Sequence, residues 1–367
     1  MKNLKYIVIC MVTALFFYSC DQGIDNITQV VAGADETAPV VKINYPTEGT
    51  RIRVVEDVTS ITIDFEVTDD IEVASIDVAV DNTTIQSFSS FKDYRRVLID
   101  DLVFDNLVDG THKLTITALD LEGKTTEVST NFEKEPPYKP LYDGETFYMP
   151  FDGDYLELIT LTEATKVGTP NFAGESVIGT NAYAGSTDTY LNYSTENLIG
   201  GTGFTATFWY KLNATPDRAG ILVMGPPDTE NAGFPDVQNL RTSGFRFFRE
   251  GSPDRQEFKL IVGNGSADIW FGGGDNTAIA ASSGEWVQIA FTISDTRCVI
   301  YFDGELVAEG DFSGIDWTGC DILSIASGAP RFTEWGHLSD QSFIDELRLY
   351  NKALTQEEIQ SIRDADL

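Results

Sequence analysis

Four blocks in the second half of the chain alternate apolar and polar residues: GFTATFWYK (203–211), SGEWVQIAF (283–291), VIYFDGELV (299–307) and FIDELRLYNKAL (343–354). Such alternation places the apolar side chains on one face of a half-buried β-strand. In the third block, Asp303-Gly304 lies between two apolar runs and predicts a β-hairpin. Because antiparallel strands with one apolar face bury those faces together, the blocks predict a two-sheet sandwich.

These blocks, in this order, resemble the laminin-G-like jelly roll of the concanavalin A-like lectin and glucanase superfamily. Three earlier stretches match the strands that open that domain: YMPFDGD (148–154), VGTPNF (167–172) and TYLNY (189–193). The resemblance covers residues 145–367 and implies a jelly-roll sandwich. It does not fix a function, because this superfamily includes lectins, glycoside hydrolases, lyases and adhesion modules.

The first half of the chain predicts a separate all-β domain over residues 37–134. Short alternating runs such as ITIDFEV (61–67) and HKLTITA (112–118) are separated by turn signals, which favours an immunoglobulin-like sandwich. The pattern resembles the bacterial Ig-like repeats of surface proteins, which act as spacers. Asp69, Asp70 and Asp120 either gather at one pole to bind calcium or are solvated turn residues. Residues 135–144, rich in proline, predict a stiff linker.

The N-terminus predicts export and a lipid anchor. Lys2 and Lys5 precede a short apolar run, as in a signal peptide spanning residues 1–19. Ser19-Cys20 resembles a bacterial lipobox, which implies lipidation of Cys20 and a flexible stalk over residues 20–36. We therefore expect an outer-membrane lipoprotein facing the cell exterior, attached to the membrane through its lipid only. The alternative is an ordinary secreted protein that is cleaved nearby.

The net charge of the chain disfavours one class of partner, and its cysteines allow two alternative structures. A formal net charge of -33 disfavours nucleic acid, since a nucleic-acid-binding protein neutralises phosphates with Lys and Arg. The remaining cysteines of the exported chain, Cys298 and Cys320, form a disulfide or stay as two buried thiols.

The family resemblance also implies a structural calcium ion near the first and last strands of the jelly roll. The matching positions are Asp152 and Asp345, with Asp154 as a weaker third, and carboxylate oxygens suit a hard cation. The alternative is that Asp152-Gly153 forms a turn and that Asp345 makes hydrogen bonds within the last strand.

The sequence predicts no catalytic site. Glucanases of the superfamily carry their acids on one strand face as Glu-x-Asp-x-x-Glu, and we find no such strand. Asp345 and Glu346 are adjacent, so strand alternation places them on opposite faces. Histidine occurs only twice, without a recognisable catalytic motif. We therefore expect the protein not to be an enzyme.

One strand pair suggests a binding face instead. In the run FRFFRE (245–250), alternation places Arg246 and Phe248 on the face opposite the core, together with Lys259 and Trp270 of the next strands. Aromatic rings stack on the apolar faces of sugars, and guanidinium groups bind hydroxyls and carboxylates. These four residues therefore predict a glycan site with a preference for uronate-containing chains. The alternative is a surface strand whose charges pair with nearby acids.

Two loop tryptophans complete the predicted site. Trp317 and Trp335 lie beside Gly319 and Gly336, where they either border the glycan site or cap the sandwich. The leading hypothesis is a surface lipoprotein that captures polysaccharide without cutting it, which resembles the glycan-capture lipoproteins that accompany outer-membrane polysaccharide transporters. The alternatives are an adhesion module that binds protein or matrix, and a glycoside hydrolase or polysaccharide lyase of the same superfamily.

Overall fold

The computed structural model describes residues 33–201 and 203–367. They form two compact units: one runs up to Ile52 and over Val58–Lys134, and the other comprises Arg53–Asp57 and Glu135–Leu367. The regular elements of both units are almost all strands, which confirms the all-β prediction. The predicted signal peptide of residues 1–19, the predicted lipidation at Cys20 and the predicted stalk up to residue 32 lie outside the described residues.

The first unit is an Ig-like sandwich of two sheets. Its strands are β1 (Val40–Tyr45), β2 (Thr50–Ile52), β3 (Thr59–Thr68), β4 (Val73–Val80), β5 (Thr83–Phe88), β6 (Arg96–Leu107), β7 (Gly110–Asp120) and β8 (Thr125–Lys134). One sheet has the order β1-β3-β6 and the other β2-β8-β7-β4-β5. In β3, alternate residues such as Ile63 and Phe65 are buried in the core between them, as the sequence alternation predicts.

The second unit is a jelly-roll-like sandwich of two eight-stranded sheets and a short hairpin. Its strands are β9 (Glu145–Met149), β10 (Leu156–Glu157), β11 (Thr162–Glu163), β12 (Thr165–Val167), β13 (Asn171–Phe172), β14 (Tyr183–Ala184), β15 (Tyr190–Ser194), β16 (Phe204–Lys211), β17 (Arg218–Met224), β18 (Phe245–Ser252), β19 (Arg255–Gly263), β20 (Asp268–Gly272), β21 (Ala278–Ala280), β22 (Trp286–Ile293), β23 (Arg297–Phe302), β24 (Glu305–Asp311), β25 (Ile322–Ile325) and β26 (Phe343–Tyr350).

The two large sheets face each other across an apolar core. The sheet that we call the front sheet has the order β12-β15-β25-β17-β18-β19-β20, with β21 beside β19. The back sheet has the order β13-β14-β26-β16-β22-β23-β24, with β9 beside β26. Residues such as Phe208, Phe247 and Phe291 fill the space between them. Burial of these large apolar side chains is the main stabilising contribution to such a sandwich.

The predicted hairpin joins β23 and β24. Asp303 and Gly304 have φ values of 50° and 77°, the left-handed region that a type I′ turn requires at both central positions. This turn matches the right-handed twist of the flanking strands, so the Asp-Gly pair sets the register of β24 on β23.

The last element of the second unit is a helix of 11 residues, α1 (Gln356–Asp366). Thr355 accepts a hydrogen bond from the Glu358 amide, and the Glu358 side chain accepts one from the Thr355 amide, which forms a capping box. Ile359 and Ile362 of α1 pack on the outer face of the back sheet. Within residues 33–201 and 203–367, no helix is long and apolar enough to cross a bilayer.

Candidate functional site

The outer face of the front sheet carries the four strand residues of the predicted glycan site. Across β18, β19 and β20, Arg246 lies opposite Ile261, which lies opposite Trp270. In the next row of the same face, Phe248 lies opposite Lys259. Residues in such cross-strand rows project to the same side of a sheet. The four residues therefore share one face, and their exposure decides which of them can reach a ligand.

Two loops cover part of this face. Residues 225–244 connect β17 to β18, and residues 326–342 connect β25 to β26. From the second loop, Phe332 packs on Val223, Phe248 and Ile261 to form a small apolar cluster outside the main core. Phe248 is consequently 1% exposed. It supports the loop from below and has no surface available to a glycan, which corrects its predicted role.

Arg246 lies beneath the 225–244 loop and is fully buried. Its guanidinium donates hydrogen bonds to the backbone carbonyls of Ser243 and Leu240. A Cβ on Gly225 would lie 2.2 Å from Arg246 Nη2, so only glycine leaves room for the guanidinium there. Burial lowers the pKa of Arg246 to about 10. Arg246 therefore holds the loop in place and cannot contact a glycan directly, which corrects its predicted role as well.

The accessible part of the face is a pair of tryptophans that we call the aromatic platform, Trp270 and Trp335. Their ring centroids are 5.7 Å apart with an interplanar angle of 30°. Trp270 is 47% exposed, and Trp335 is half-buried against the small apolar cluster. The two rings together form a continuous aromatic surface on this face of the sheet.

Polar contacts fix the orientation of the aromatic platform. Trp270 Nε1 donates a hydrogen bond of 3.0 Å to Asp268 Oδ2. The same carboxylate oxygen lies 3.4 Å from Arg241 Nε. The Arg241 guanidinium in turn lies over the Trp335 ring, 4.4 Å from its centroid, as a cation–π contact. One carboxylate thus joins both halves of the platform and places a guanidinium at its border.

A polar cluster lies beside the platform. Glu250 accepts hydrogen bonds from Lys259 Nζ at 2.5 Å and from His337 Nε2 at 3.0 Å. Burial would raise the pKa of Glu250, but Lys259 and His337 together hold it below its ordinary value. Burial lowers the pKa of His337 to about 4 against the attraction of Glu250, so its imidazole is neutral near pH 7. Lys259 therefore forms an ion pair with Glu250.

Trp317 lies elsewhere in the fold. It packs against the core between the sheets, with ring centroids 5.5 Å from Phe204 and 6.3 Å from Phe245. Of the two roles that its sequence left open, it caps the sandwich. The structure does not bring it together with the aromatic platform.

Cys298 and Cys320 are both buried free thiols. Cys298 belongs to the core between the sheets, and burial raises its pKa well above the ordinary range. Burial raises the pKa of Cys320 to about 12. Of the two alternatives for this pair, the structure has the thiols and not the disulfide.

Two of the three predicted calcium ligands face the same loop. Asp345 Oδ2 accepts the Val177 amide at 2.7 Å, and Asp152 Oδ1 accepts the Thr180 amide at 2.5 Å. Burial raises the pKa of Asp345 to about 8, and the nearby carboxylates of Glu346 and Asp152 add to this increase. Repulsion between close carboxylates is what a cation would relieve, so the donor set suits a hard cation.

Asp154, the third predicted ligand, makes different contacts. It forms an ion pair with Arg53 and accepts the Leu156 amide at 3.1 Å. Its carboxylate is therefore neutralised by a basic residue and does not join Asp152 and Asp345 in the loop contacts that they share.

The back sheet contains a buried cluster of acids around Arg348. Glu346 lies 2.6 Å, Asp366 3.3 Å and Glu145 3.8 Å from its guanidinium nitrogens. Each of these acids is at most 7% exposed. Burial and the shared contact with Arg348 make the cluster a structural ion network.

The positions of Asp345 and Glu346 differ from the strand prediction. Glu346 has a φ of 54°, and the pairing of β16 with β26 is irregular at this point, which marks a β-bulge. Ile344 and Leu347 both belong to the core, whereas the two acids between them do not. The prediction of opposite faces is therefore wrong, because the bulge adds a residue to the alternation.

Sequence reasoning did not assign Arg241 and Asp268 to the site. Arg241 lies in the 225–244 loop, where strand alternation does not predict the direction of a side chain. Asp268 precedes Trp270 by two residues in β20, and this spacing, which puts both on one face, was the available signal.

Comparison with protein families identifies both domains. Residues 184–360 match the model of the concanavalin A-like lectin/glucanases superfamily, and residues 39–116 match that of a bacterial Ig domain. The chain therefore carries a concanavalin A-like domain preceded by a bacterial Ig domain. No curated protein matches the sequence significantly.

Several solved structures are similar in fold. Domain 4 of an extracellular arabinanase from Geobacillus stearothermophilus, in complex with arabinotriose, is 16% identical with a TM-score of 0.37, and the match covers 60% of this chain and 98% of that one. The binding domain of botulinum neurotoxin serotype C1 is 13% identical with a TM-score of 0.43, over 61% and 52% of the two chains. The binding domain of botulinum neurotoxin DC in complex with SialylT is 13% identical with a TM-score of 0.42, also over 61% and 52%. This chain thus spans about half the length of the toxin domains.

Proposed function

We propose that this protein binds carbohydrate without cleaving it and that the aromatic platform of Trp270 and Trp335 is the contact surface. The observation that carries the proposal is the 47% exposure of Trp270 in a fixed orientation, hydrogen-bonded to Asp268 and stacked near Trp335. A rigid, half-exposed aromatic ring stacks on the apolar C–H face of a pyranose with little loss of conformational entropy.

The polar groups at the border of the platform suit the hydroxyls and carboxylates of a polysaccharide. Arg241 lies over Trp335 and is 26% exposed, so part of its guanidinium is available for a ligand. A guanidinium binds a carboxylate through two parallel hydrogen bonds, which favours a uronate over a neutral sugar. Arg241 thus takes the role that the sequence suggested for Arg246.

The acids near the platform support binding without cleavage. A glycosidase needs one carboxyl group with a raised pKa as proton donor and a second carboxylate across the bond. Glu250 instead has a lowered pKa because Lys259 and His337 oppose the effect of burial. Asp268 is occupied by Trp270 and Arg241. Glu250 therefore lacks the raised pKa that a proton donor needs, which supports binding without cleavage.

Affinity electrophoresis through gels that contain neutral or uronate-rich polysaccharides tests the proposal. Trp270→Ala removes the exposed ring, and we expect retention to weaken about tenfold or more, equivalent to roughly 1.4 kcal/mol. Trp286→Ala, the same change at a half-buried tryptophan of the back sheet, is the matched control and should retain wild-type binding. Assay of reducing ends on the same substrates should detect no products.

Three results would contradict the proposal. Equal retention of wild type and Trp270→Ala would remove the platform from the binding site. Release of reducing ends or unsaturated products would show an enzyme. Absence of retention on every polysaccharide, with capture of a matrix protein, would favour the adhesion module.

We also propose the setting in which binding occurs, an outer-membrane lipoprotein that faces the cell exterior and passes glycan to a transporter complex. The support is the apolar run before Ser19-Cys20 in the sequence, together with the bacterial Ig domain as a spacer. Fatty-acid labelling that persists in Cys20→Ala would contradict the anchor.

A structural calcium ion at Asp152 and Asp345 is part of the same proposal. Its support is the shared loop at residues 177–181 and the mutual repulsion of the two carboxylates. Such an ion would fasten this loop to the last strand, β26, and would take no part in sugar contact.

A further inference from the structure

We infer that the first unit holds a calcium ion between Asp35, Asp69 and Asp70, which fastens the segment before β1 to the turn between β3 and β4. Oxygen atoms of the three carboxylates lie within 4.8 Å of one another. This site is separate from the aromatic platform and from Asp152 and Asp345.

The second observation is a buried oxygen that lacks a donor. The Asp35 side chain is only 5% exposed. Its Oδ1 accepts a hydrogen bond of 2.6 Å from Lys124, whereas its Oδ2 is buried and has no hydrogen-bond partner within the described ranges. A buried carboxylate oxygen without a partner costs free energy that a cation would recover.

Asp69 repeats this arrangement from the other side of the cluster. Its Oδ2 accepts the amides of Ile71 at 2.9 Å and Glu72 at 2.7 Å, which forms the turn after β3. Its Oδ1 is buried and, in the part of the chain that the structure describes, has no partner. The turn thus uses one oxygen of this carboxylate and leaves the other for a ligand.

The local charges agree with a cation at this position. Lys124 pairs with Asp35 and also with Asp120, at 3.3 Å, so its single charge is shared between two acids. Asp70 Oδ1 accepts the Thr37 hydroxyl at 3.0 Å, and its Oδ2 accepts the Glu36 amide at 3.3 Å. Both contacts come from the segment that the ion would hold, and neither neutralises the carboxylate.

The donor set suits calcium better than magnesium. Calcium takes six to eight oxygen ligands, mostly carboxylates and carbonyls, at about 2.3–2.6 Å in a flexible geometry. Magnesium demands a near-ideal octahedron at about 2.0–2.1 Å and keeps several of its waters, so it is seldom held by a cage of protein carboxylates. Asp70 is exposed, so water completes the coordination on that side. The sequence suggested Asp120 as a member of this group, but the carboxylate that lies together with those of Asp69 and Asp70 is that of Asp35.

Protease protection gives a local readout on the intact protein. Endoproteinase Glu-C cleaves after Glu36, inside the segment that the ion would fasten. We expect saturating calcium, about 10 mM for an extracellular site, to slow this cleavage at least about tenfold in wild type. The double variant Asp35→Asn/Asp69→Asn should show no calcium effect, because it keeps the shapes but loses two charged ligands.

The controls separate this site from other calcium effects. Asp100→Asn/Asp101→Asn removes the same charge from exposed positions of β6 and should keep full protection. If the first double variant fails to fold, Asp70→Asn at an exposed position replaces it and should weaken calcium protection about tenfold. Three results would overturn the inference. The first is cleavage of the wild type at the same rate with and without calcium. The others are calcium protection of Asp35→Asn/Asp69→Asn equal to that of the wild type, and protection of the wild type by magnesium equal to that by calcium.

Discussion

The outer faces of the two sheets bury their arginines in opposite ways. On the front sheet, Arg246 is enclosed by backbone carbonyls of the 225–244 loop. On the back sheet, Arg348 is enclosed by the carboxylates of Glu145, Glu346 and Asp366. Carbonyl dipoles bind a guanidinium without adding charge, whereas three acids add more charge than one arginine neutralises.

This difference explains which face is available for binding. The loops over the front sheet cover Arg246 and Phe248 but leave Trp270 exposed. Part of the outer face of the back sheet is covered by α1, whose Asp366 accepts hydrogen bonds from both Arg348 and the Trp209 indole. The buried acids of the back sheet are accounted for by their contacts with Arg348, and the exposed aromatic platform is the surface on which the proposed function rests.

The largest expected effect lies on the back sheet. Arg348→Met removes the only guanidinium that contacts Glu346 and Asp366 among the described residues, and leaves these acids buried without a counter-charge. Breaking a buried ion network in this way costs about 3–5 kcal/mol. We expect urea denaturation to show a loss of that size at pH 8, and a smaller loss at pH 5, where the acids take up protons.

An exposed arginine of the front sheet is the control for this variant. Arg255 pairs with Glu257 and Asp275, and its side chain is 40% exposed. Arg255→Met should change the free energy of unfolding by about 0.5 kcal/mol or less, because solvent screens such pairs. Similar losses in both variants would show that the buried network does not stabilise the back sheet.

A smaller effect on stability, whose sign depends on pH, is expected from the replacement of Asp345. The pKa of this carboxyl is raised to about 8 in the folded protein, above its ordinary value of 3.8. The folded state therefore binds more protons than the unfolded state between about pH 4 and 8, so stability falls as the pH rises through this window. Asp345→Asn cannot ionise and should lose this pH dependence, which we put at about 2 kcal/mol between pH 6 and 8 in chelator.

Calcium should reverse which of the two proteins, wild type or Asp345→Asn, is the more stable at pH 8. If the ion binds Asp152 and Asp345, calcium at pH 8 should stabilise the second unit of the wild type above that of Asp345→Asn, whereas a calcium response of the first unit is common to both proteins. Thermal unfolding with and without chelator measures both effects. If the stability of the wild type depends on pH no more than that of Asp345→Asn, then Asp345 is ionised in the folded protein. If calcium does not stabilise the wild type relative to Asp345→Asn, then no ion binds at this site.

The sequence predicted the fold well because strand alternation and the Asp303-Gly304 turn are local signals. It also placed Arg246, Phe248, Lys259 and Trp270 on one face, since alternation extends through paired strands. It could not predict which of them remain exposed, because that depends on loops that return from distant positions. The Glu346 bulge is ambiguous in the sequence, because the spacing of three residues between Ile344 and Leu347 interrupts the alternation without showing whether the strand bulges or ends there.

The smallest expected effect tests the buried arginine of the front sheet. Arg246→Met leaves the carbonyls of Ser243 and Leu240 without these donors but also removes a charge whose Nε is buried without a partner in the described part of the chain. The two contributions oppose each other, so we expect the free energy of unfolding to change by about 1 kcal/mol. Polysaccharide retention by the folded variant should stay near wild type, because Arg246 does not reach the surface. Retention lost to the same degree as in Trp270→Ala would instead show that a ligand opens the 225–244 loop and binds the guanidinium beneath it.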